Sequence, residues 1–160
     1  MIIFLNGASS SGKSSIAKAL QNLYPTPLLA IGIDTFLGMM PPQYLYYGEK
    51  AHEGFKFIQE NDEDGPISHI TDGGYGRAIC QSAPKVIDAL AQDGHDIIID
   101  EVLFEDASLK KYVEQFHPYK VYFIGGHCSL EKISKREIAR GNRSLGLGRN
   151  QINIAHGPTR

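Results

Sequence analysis

At 160 residues the chain is the size of one domain. Apolar residues make up 42% and charged residues 21%, which excludes a disordered, collagenous or coiled-coil protein. With 16 basic against 18 acidic residues and a net charge of -2, no bulk attraction for nucleic acid or an anionic membrane is expected. No apolar run nears the ~20 residues of a membrane span, and Met1 to Leu5 is too short for a signal segment, so the expected compartment is the cytoplasm. Cys80 and Cys128 have neither a CxxC nor a CxxH spacing and read as plain buried thiols.

In chain order, four short apolar runs bounded by turn residues read as buried strands: Ile2 to Leu5, Leu28 to Ile33, Asp96 to Asp100, and Lys120 to Ile124. Helix-length segments follow them at Lys13 to Leu23, about Ala78 to Ala91, Ser108 to Phe116, and Ser129 to Ala139. This β/α alternation predicts an α/β fold with a parallel sheet and helices on both faces. In the first helix Ile16, Ala17, Leu20 and Leu23 form the expected inward stripe. Pro84 either kinks the second helix or begins a new one. The segment 36–76 breaks the pattern with Pro41, Pro42, Pro66 and the aromatics Tyr44, Tyr46, Tyr47, Phe55 and Phe57, and insertions of this length are usually functional.

The stretch Gly7-Ala8-Ser9-Ser10-Ser11-Gly12-Lys13-Ser14 fits GxxxxGK[ST] and lies between a strand and a helix. Backbone N–H groups of such a P-loop, with Ser15 following, face phosphate oxygens at a helix N-terminus. Lys13 would reach the β and γ phosphates, and the Ser14 hydroxyl would ligate Mg2+. ATP and Mg2+ are therefore the expected cofactors. Asp100 and Glu101 end an Ile97-Ile98-Ile99 strand at the sheet edge where α/β ligands bind, so Asp100 is a second candidate for the Mg2+ shell.

Asp34 follows Ile31-Gly32-Ile33 at the same edge. It could take a proton from an acceptor hydroxyl, or it could cap a turn beginning at Thr35. Lys135, Arg136, Arg140 and Arg143 lie on and after the last helix, among Gly141, Gly146 and Gly148. They are either a solvated face or a hinged lid whose guanidinium groups neutralise the transferring phosphoryl, with Arg136 and Arg140 on one helix face.

The chain resembles chloramphenicol phosphotransferase and related P-loop kinases. The resemblance rests on Ile2-Ile3-Phe4-Leu5-Asn6-Gly7 running into the P-loop, on Leu29-Ala30-Ile31-Gly32-Ile33-Asp34 with Met40-Pro41, on Ile97-Ile98-Ile99-Asp100-Glu101-Val102, and on Arg136-Glu137-Ile138-Ala139-Arg140-Gly141-Asn142-Arg143. It implies a single kinase domain over 1–160 of nucleotide-kinase-like fold, with 36–76 as the acceptor pocket and 136–149 as the lid. It further implies that Asp34 is the base for phosphorylation of a small-molecule hydroxyl, while the loop and lid readings above put Lys13, Arg136, Arg140 and Arg143 on the phosphates. Related kinases continue into a further strand and helix, whereas this sequence stops at Arg160. The expectation is therefore a sheet lacking its last strand, with the Val121 to Ile124 edge open to a second copy. Two other readings stay open: a zeta-toxin-like kinase acting on a nucleotide sugar, and a catalytically silent nucleotide-binding module.

Overall fold

The computed structural model describes residues 1–103, 106–141 and 144–152. Its elements in order are β1 (Ile2–Asn6), α1 (Lys13–Leu23), β2 (Leu28–Gly32), α2 (Ile33–Leu37), β3 (Leu45–Tyr46), β4 (Phe55–Asp62), β5 (Gly65–Asp72), α3 (Gly74–Gln92), β6 (Asp96–Glu101), α4 (Asp106–Phe116), β7 (Val121–Gly125), α5 (Leu130–Arg140) and α6 (Leu147–Ile152). Strands β2, β6, β1 and β7 form, in that spatial order, a parallel four-stranded sheet. Asp100 is level with Leu5 of β1 and Gly32 of β2. The loops that leave these strands therefore open on one edge of the sheet, where parallel α/β folds bind ligands.

Alternation along the central strands supplies two cores. Ile2 and Phe4 of β1 with Ile97 and Ile99 of β6 face α3 and α4, where Ile87, Tyr112 and Phe116 complete one cluster. Leu5 and Ile98 point to the opposite face and meet Ala17 of α1 and Leu28. A strand buried on both faces needs a continuous apolar run, which is what Ile97-Ile98-Ile99 provides. The inward stripe of α1 is Ala17 and Leu20, and Tyr24 just after the helix packs on the same cluster. Ile16 and Leu23 are 46% and 81% exposed, so the expected stripe was rotated away from the core at those two positions. Helix α3 runs continuously through Pro84, so no new helix begins there, while Ala83 and Ile87 anchor its buried face.

The segment 36–76 is more ordered than its proline content suggested. Strands β3, β4 and β5 form a second sheet, with β4 and β5 an antiparallel hairpin turned at Glu63-Asp64. Phe55 and Phe57 face inward while Lys56 between them is exposed. Gly65, at φ 109, takes the left-handed conformation that closes the hairpin. Among the described residues no strand follows β7, and Tyr122, Phe123 and Ile124 on that edge are half exposed. The thiols are not both buried: Cys80 is exposed and Cys128 partly so. No described helix is long and apolar enough to cross a membrane.

Candidate active site

The loop between β1 and α1 wraps because two residues turn left-handed, Ser10 at φ 60 and Gly12 at φ 108. Gly7 has no room for a side chain, since a Cβ there would lie 2.6 Å from the Gly126 carbonyl. Ser11 N–H donates to the Ala8 carbonyl at 3.2 Å, tightening the bend. Lys13, the first residue of α1, folds its ammonium back into the loop and donates to the carbonyls of Gly7 at 2.8 Å and Ala8 at 3.1 Å. It also stands 3.5 Å from Asp100. Burial draws the Lys13 ammonium below its ordinary pKa, and the Asp100 carboxylate opposes that shift.

The Ser14 hydroxyl donates to Asp100 at 2.6 Å. A hydroxyl and a carboxylate held together, both oxygen ligands, fit a Mg2+ ion, which keeps most of its shell for water and phosphate. No group of three or more His, Cys, Asp or Glu suited to a metal occurs among the described residues. The hydroxyls of Ser10 and Ser11 are buried without a partner, and such groups fit the oxygens of a phosphate chain. Of the predicted loop residues, Ser9, Ser10, Gly12, Lys13 and Ser14 border one large cleft, while Ser11 and Ser15 border a smaller recess beside Arg136 and Arg140. Gly7 and Ala8 border neither cavity and contribute their carbonyls to Lys13.

Asp34 lies in the first turn of α2 and borders the large cleft, about 1250 Å³ in volume. The Thr35 Oγ1 accepts the Gly32 N–H at 3.3 Å and caps the start of this turn. Gly32 admits the close approach of β2 to β6: a Cβ there would lie 2.1 Å from the Asp100 carbonyl oxygen. Glu101, beneath the same cleft, has its carboxyl pushed up to about 7, chiefly by burial and in smaller part by the neighbouring Asp100. The opposite wall is aromatic, with Tyr46 stacked on Phe57 at 4.9 Å and Phe55 beside them.

Arg136 reaches the loop rather than the large cleft, donating to the carbonyls of Ser10 at 3.1 Å and Ser11 at 2.8 Å. Arg140 borders both cavities. Arg143 lies outside the described residues. The glycines after α5 are not all hinges. Gly141, at φ 64, ends the helix in a left-handed cap. Gly146 and Gly148 are tight contacts, where a Cβ would stand 2.0 Å from the Pro66 carbonyl and 2.4 Å from an Ile133 methyl. Two residues with no assigned part hold this region. Glu137, 2% exposed, accepts the N–H groups of Gly146 at 2.9 Å and Gly148 at 2.7 Å. Gln151 of α6 accepts the Ser9 N–H at 2.7 Å. Glu137 was legible as a charge four residues from Ile133 on the inward face of α5, whereas nothing in the pattern around Gln151 marks it.

The sequence profile of the family described as "Chloramphenicol phosphotransferase-like protein" matches residues 1–160. The chain belongs to the chloramphenicol phosphotransferase-like family. Two provisionally named O-phosphotransferases from strains of Mycobacterium tuberculosis are each 31% identical over 156 residues, taking in 97% of this chain and 69% of theirs. Among solved structures, one chain of the Pnkp1/Rnl/Hen1 RNA repair complex superposes with a TM-score of 0.67 at 17% identity, covering 97% of this chain and 43% of that one. A sugar kinase from Janibacter sp. HTCC2649 gives 0.62 at 22% identity over 99% of this chain and 80% of its own. A gluconokinase from Sinorhizobium meliloti 1021 gives 0.57 at 18% identity over 98% and 75%. These likenesses establish the P-loop kinase fold, and family membership makes this chloramphenicol phosphotransferase-like chain a phosphotransferase.

Proposed function

We propose that the protein transfers the γ-phosphate of ATP to a hydroxyl of a small, partly aromatic molecule. The observation that carries this reading is one cleft bordered at once by Lys13, Ser14 and Asp100 on the loop side, by Asp34, and by the aromatic wall of Tyr46 and Phe57. The loop N–H groups and the partnerless Ser10 and Ser11 hydroxyls hold the phosphate chain, with Arg136 and Arg140 beside it. Lys13 leaves the Gly7 and Ala8 carbonyls to bind the terminal phosphates. Bound Mg2+, held by Ser14 and Asp100, would supply charge neutralisation on the phosphates.

Asp34 accepts the proton of the acceptor hydroxyl as that oxygen bonds to the γ-phosphorus and the bond to the ADP oxygen breaks. Most of the rate enhancement then comes from positioning and from cationic groups fixed around the transferring phosphoryl. The acceptor's apolar part rests on the aromatic wall, which excludes water from the site. The test is incubation with Mg-ATP and a panel of phenylpropanoid antibiotics and nucleotide sugars, following ADP release and the product mass. Phosphorylation of an aromatic alcohol is the expected result. Transfer to nucleotide sugars alone would favour the zeta-toxin-like reading, and ATP binding without transfer to anything would favour a silent module.

A further inference from the structure

The first bend of the phosphate loop is held from outside the loop. The Gln151 amide oxygen accepts the Ser9 N–H at 2.7 Å across a separation of 142 positions, and Gln151 is 3% exposed. Ser10 comes next, at φ 60, a left-handed geometry that a non-glycine residue holds only when its surroundings impose it. On the other side of that bend Arg136 grips the Ser10 and Ser11 carbonyls. Ser9 is thus fixed on the N–H side by an amide, and two residues on the Ser11 N–H turns back to the Ala8 carbonyl.

Helix α6, which carries that amide, is held in place by three contacts. The Glu137 carboxylate clamps the N–H groups of Gly146 and Gly148 at the start of α6. Gly148 lies so close to the loop that a Cβ would stand 2.8 Å from the Ser9 carbonyl oxygen. Arg149 is ion-paired with Asp62 on the β4–β5 hairpin. Ser9 and Gln151 border the large cleft with Asp34, whereas Ser11 and Ser15 border the smaller recess. Gln151 therefore stands at the end of the loop that faces the acceptor.

We infer that Gln151 is a positioning residue for the terminal phosphate of the nucleotide, acting through the Ser9 amide. The inference rests on the reading of this loop as a nucleotide site. A neutral amide suits the position, because a carboxylate would accept the same N–H yet bring negative charge to the terminal phosphate. An apolar side chain would leave a buried N–H without an acceptor and release the bend.

Calorimetric titration of Mg-ADP and of the non-hydrolysable analogue Mg-AMP-PNP into wild type, Gln151→Glu, Gln151→Leu and Lys13→Ala tests this. In Gln151→Glu, with thermal stability like wild type, AMP-PNP affinity falls about tenfold or more and ADP affinity by less than about threefold, a split that general damage would not produce. In Gln151→Leu the affinity for AMP-PNP falls by about tenfold. Wild-type affinity for AMP-PNP in both variants, with no binding in Lys13→Ala, overturns the inference and leaves the loop reading standing. Wild-type affinity in Lys13→Ala overturns the loop reading, and this inference with it. Should the leucine variant not fold, amide exchange in the wild type decides alongside the glutamate variant. The Ser9 N–H exchanges slowly with and without AMP-PNP if the bond is as described, and fast exchange in either state refutes it.

Discussion

Replacing Glu137 is the sharpest perturbation of the frame around the site. Its carboxylate is 2% exposed and accepts two backbone N–H groups at 2.9 and 2.7 Å. Hydrogen bonds to a charged group contribute about 1.5–3 kcal/mol each, so Glu137→Ala, which removes both acceptors, should cost about 3–6 kcal/mol. Glu137→Gln keeps one acceptor and turns an NH2 toward the other N–H, so about 2–4 kcal/mol is expected from an almost isosteric change. Against a typical total of about 5–15 kcal/mol these losses are large, but they are bounded by the cost of undocking α6 alone. Urea denaturation gives the global loss, and hydrogen exchange over 144–152 shows whether the opening is local. A Glu137→Gln protein within about 0.5 kcal/mol of wild type and equally protected at Gly146 and Gly148 would refute the assignment of these bonds as the latch.

Other outcomes follow from the same geometry. Asp34→Asn should lower phosphoryl transfer by about 10²–10⁴-fold while ATP affinity measured by calorimetry stays within about twofold. Asp100→Asn and Ser14→Ala should each raise the Mg2+ concentration needed for half-maximal transfer by about tenfold, read from a metal titration of the rate. Gly32→Ala places a methyl where only 2.1 Å separates it from a carbonyl oxygen. It should cost about 1–3 kcal/mol in urea stability and about 10²-fold in rate, because β2 must move away from β6. The Asp96 carboxylate is held below its ordinary range by the Met1 ammonium at 2.7 Å and then by the Tyr24 hydroxyl at 3.0 Å. A lowered folded-state pKa stabilises above the unfolded value near ~4, and the gain is lost as pH falls through the folded value. Asp96→Asn should therefore melt lower than wild type at neutral pH, with the gap closing by about pH 2 in thermal scans.

The main sheet was legible because each of its strands is a contiguous apolar run bounded by turn residues, and the bounds of α1 were legible because a glycine precedes Lys13 and Pro25 follows. The hairpin was not, since β4 and β5 mix apolar and polar residues on both faces and the acidic turn and Pro66 read as loop. Helix α6 was hidden for a different reason. Leu147 to Ile152 is short and contains a glycine, so its helicity comes from Glu137, Ile133 and the hairpin rather than from its own residues. For the same reason Gly146 and Gly148 looked like hinges, when their missing side chains make room for Pro66 and Ile133. The positions of Lys13, Ser14 and Asp100 followed from strand and loop spacing. Gln151 could not be found that way, because its partner is 142 positions distant.

The β4–β5 hairpin is pinned near its turn by the Arg149–Asp62 ion pair, and midway by Ser68, which bonds the Ser144 hydroxyl at 2.8 Å and the Leu145 carbonyl at 2.7 Å. Its length is thereby a ruler between the aromatic wall at one end and α6 at the other. An inserted pair of residues would shift Phe55 and Phe57 relative to α6, so on the proposed reading new acceptors are reached more readily by exchanging wall side chains within a fixed frame. On the proposed reading, acceptor range should drift by residue identity at Tyr46, Phe55, Phe57 and Ile70, which line the cleft, and hairpin length should stay constant while it does.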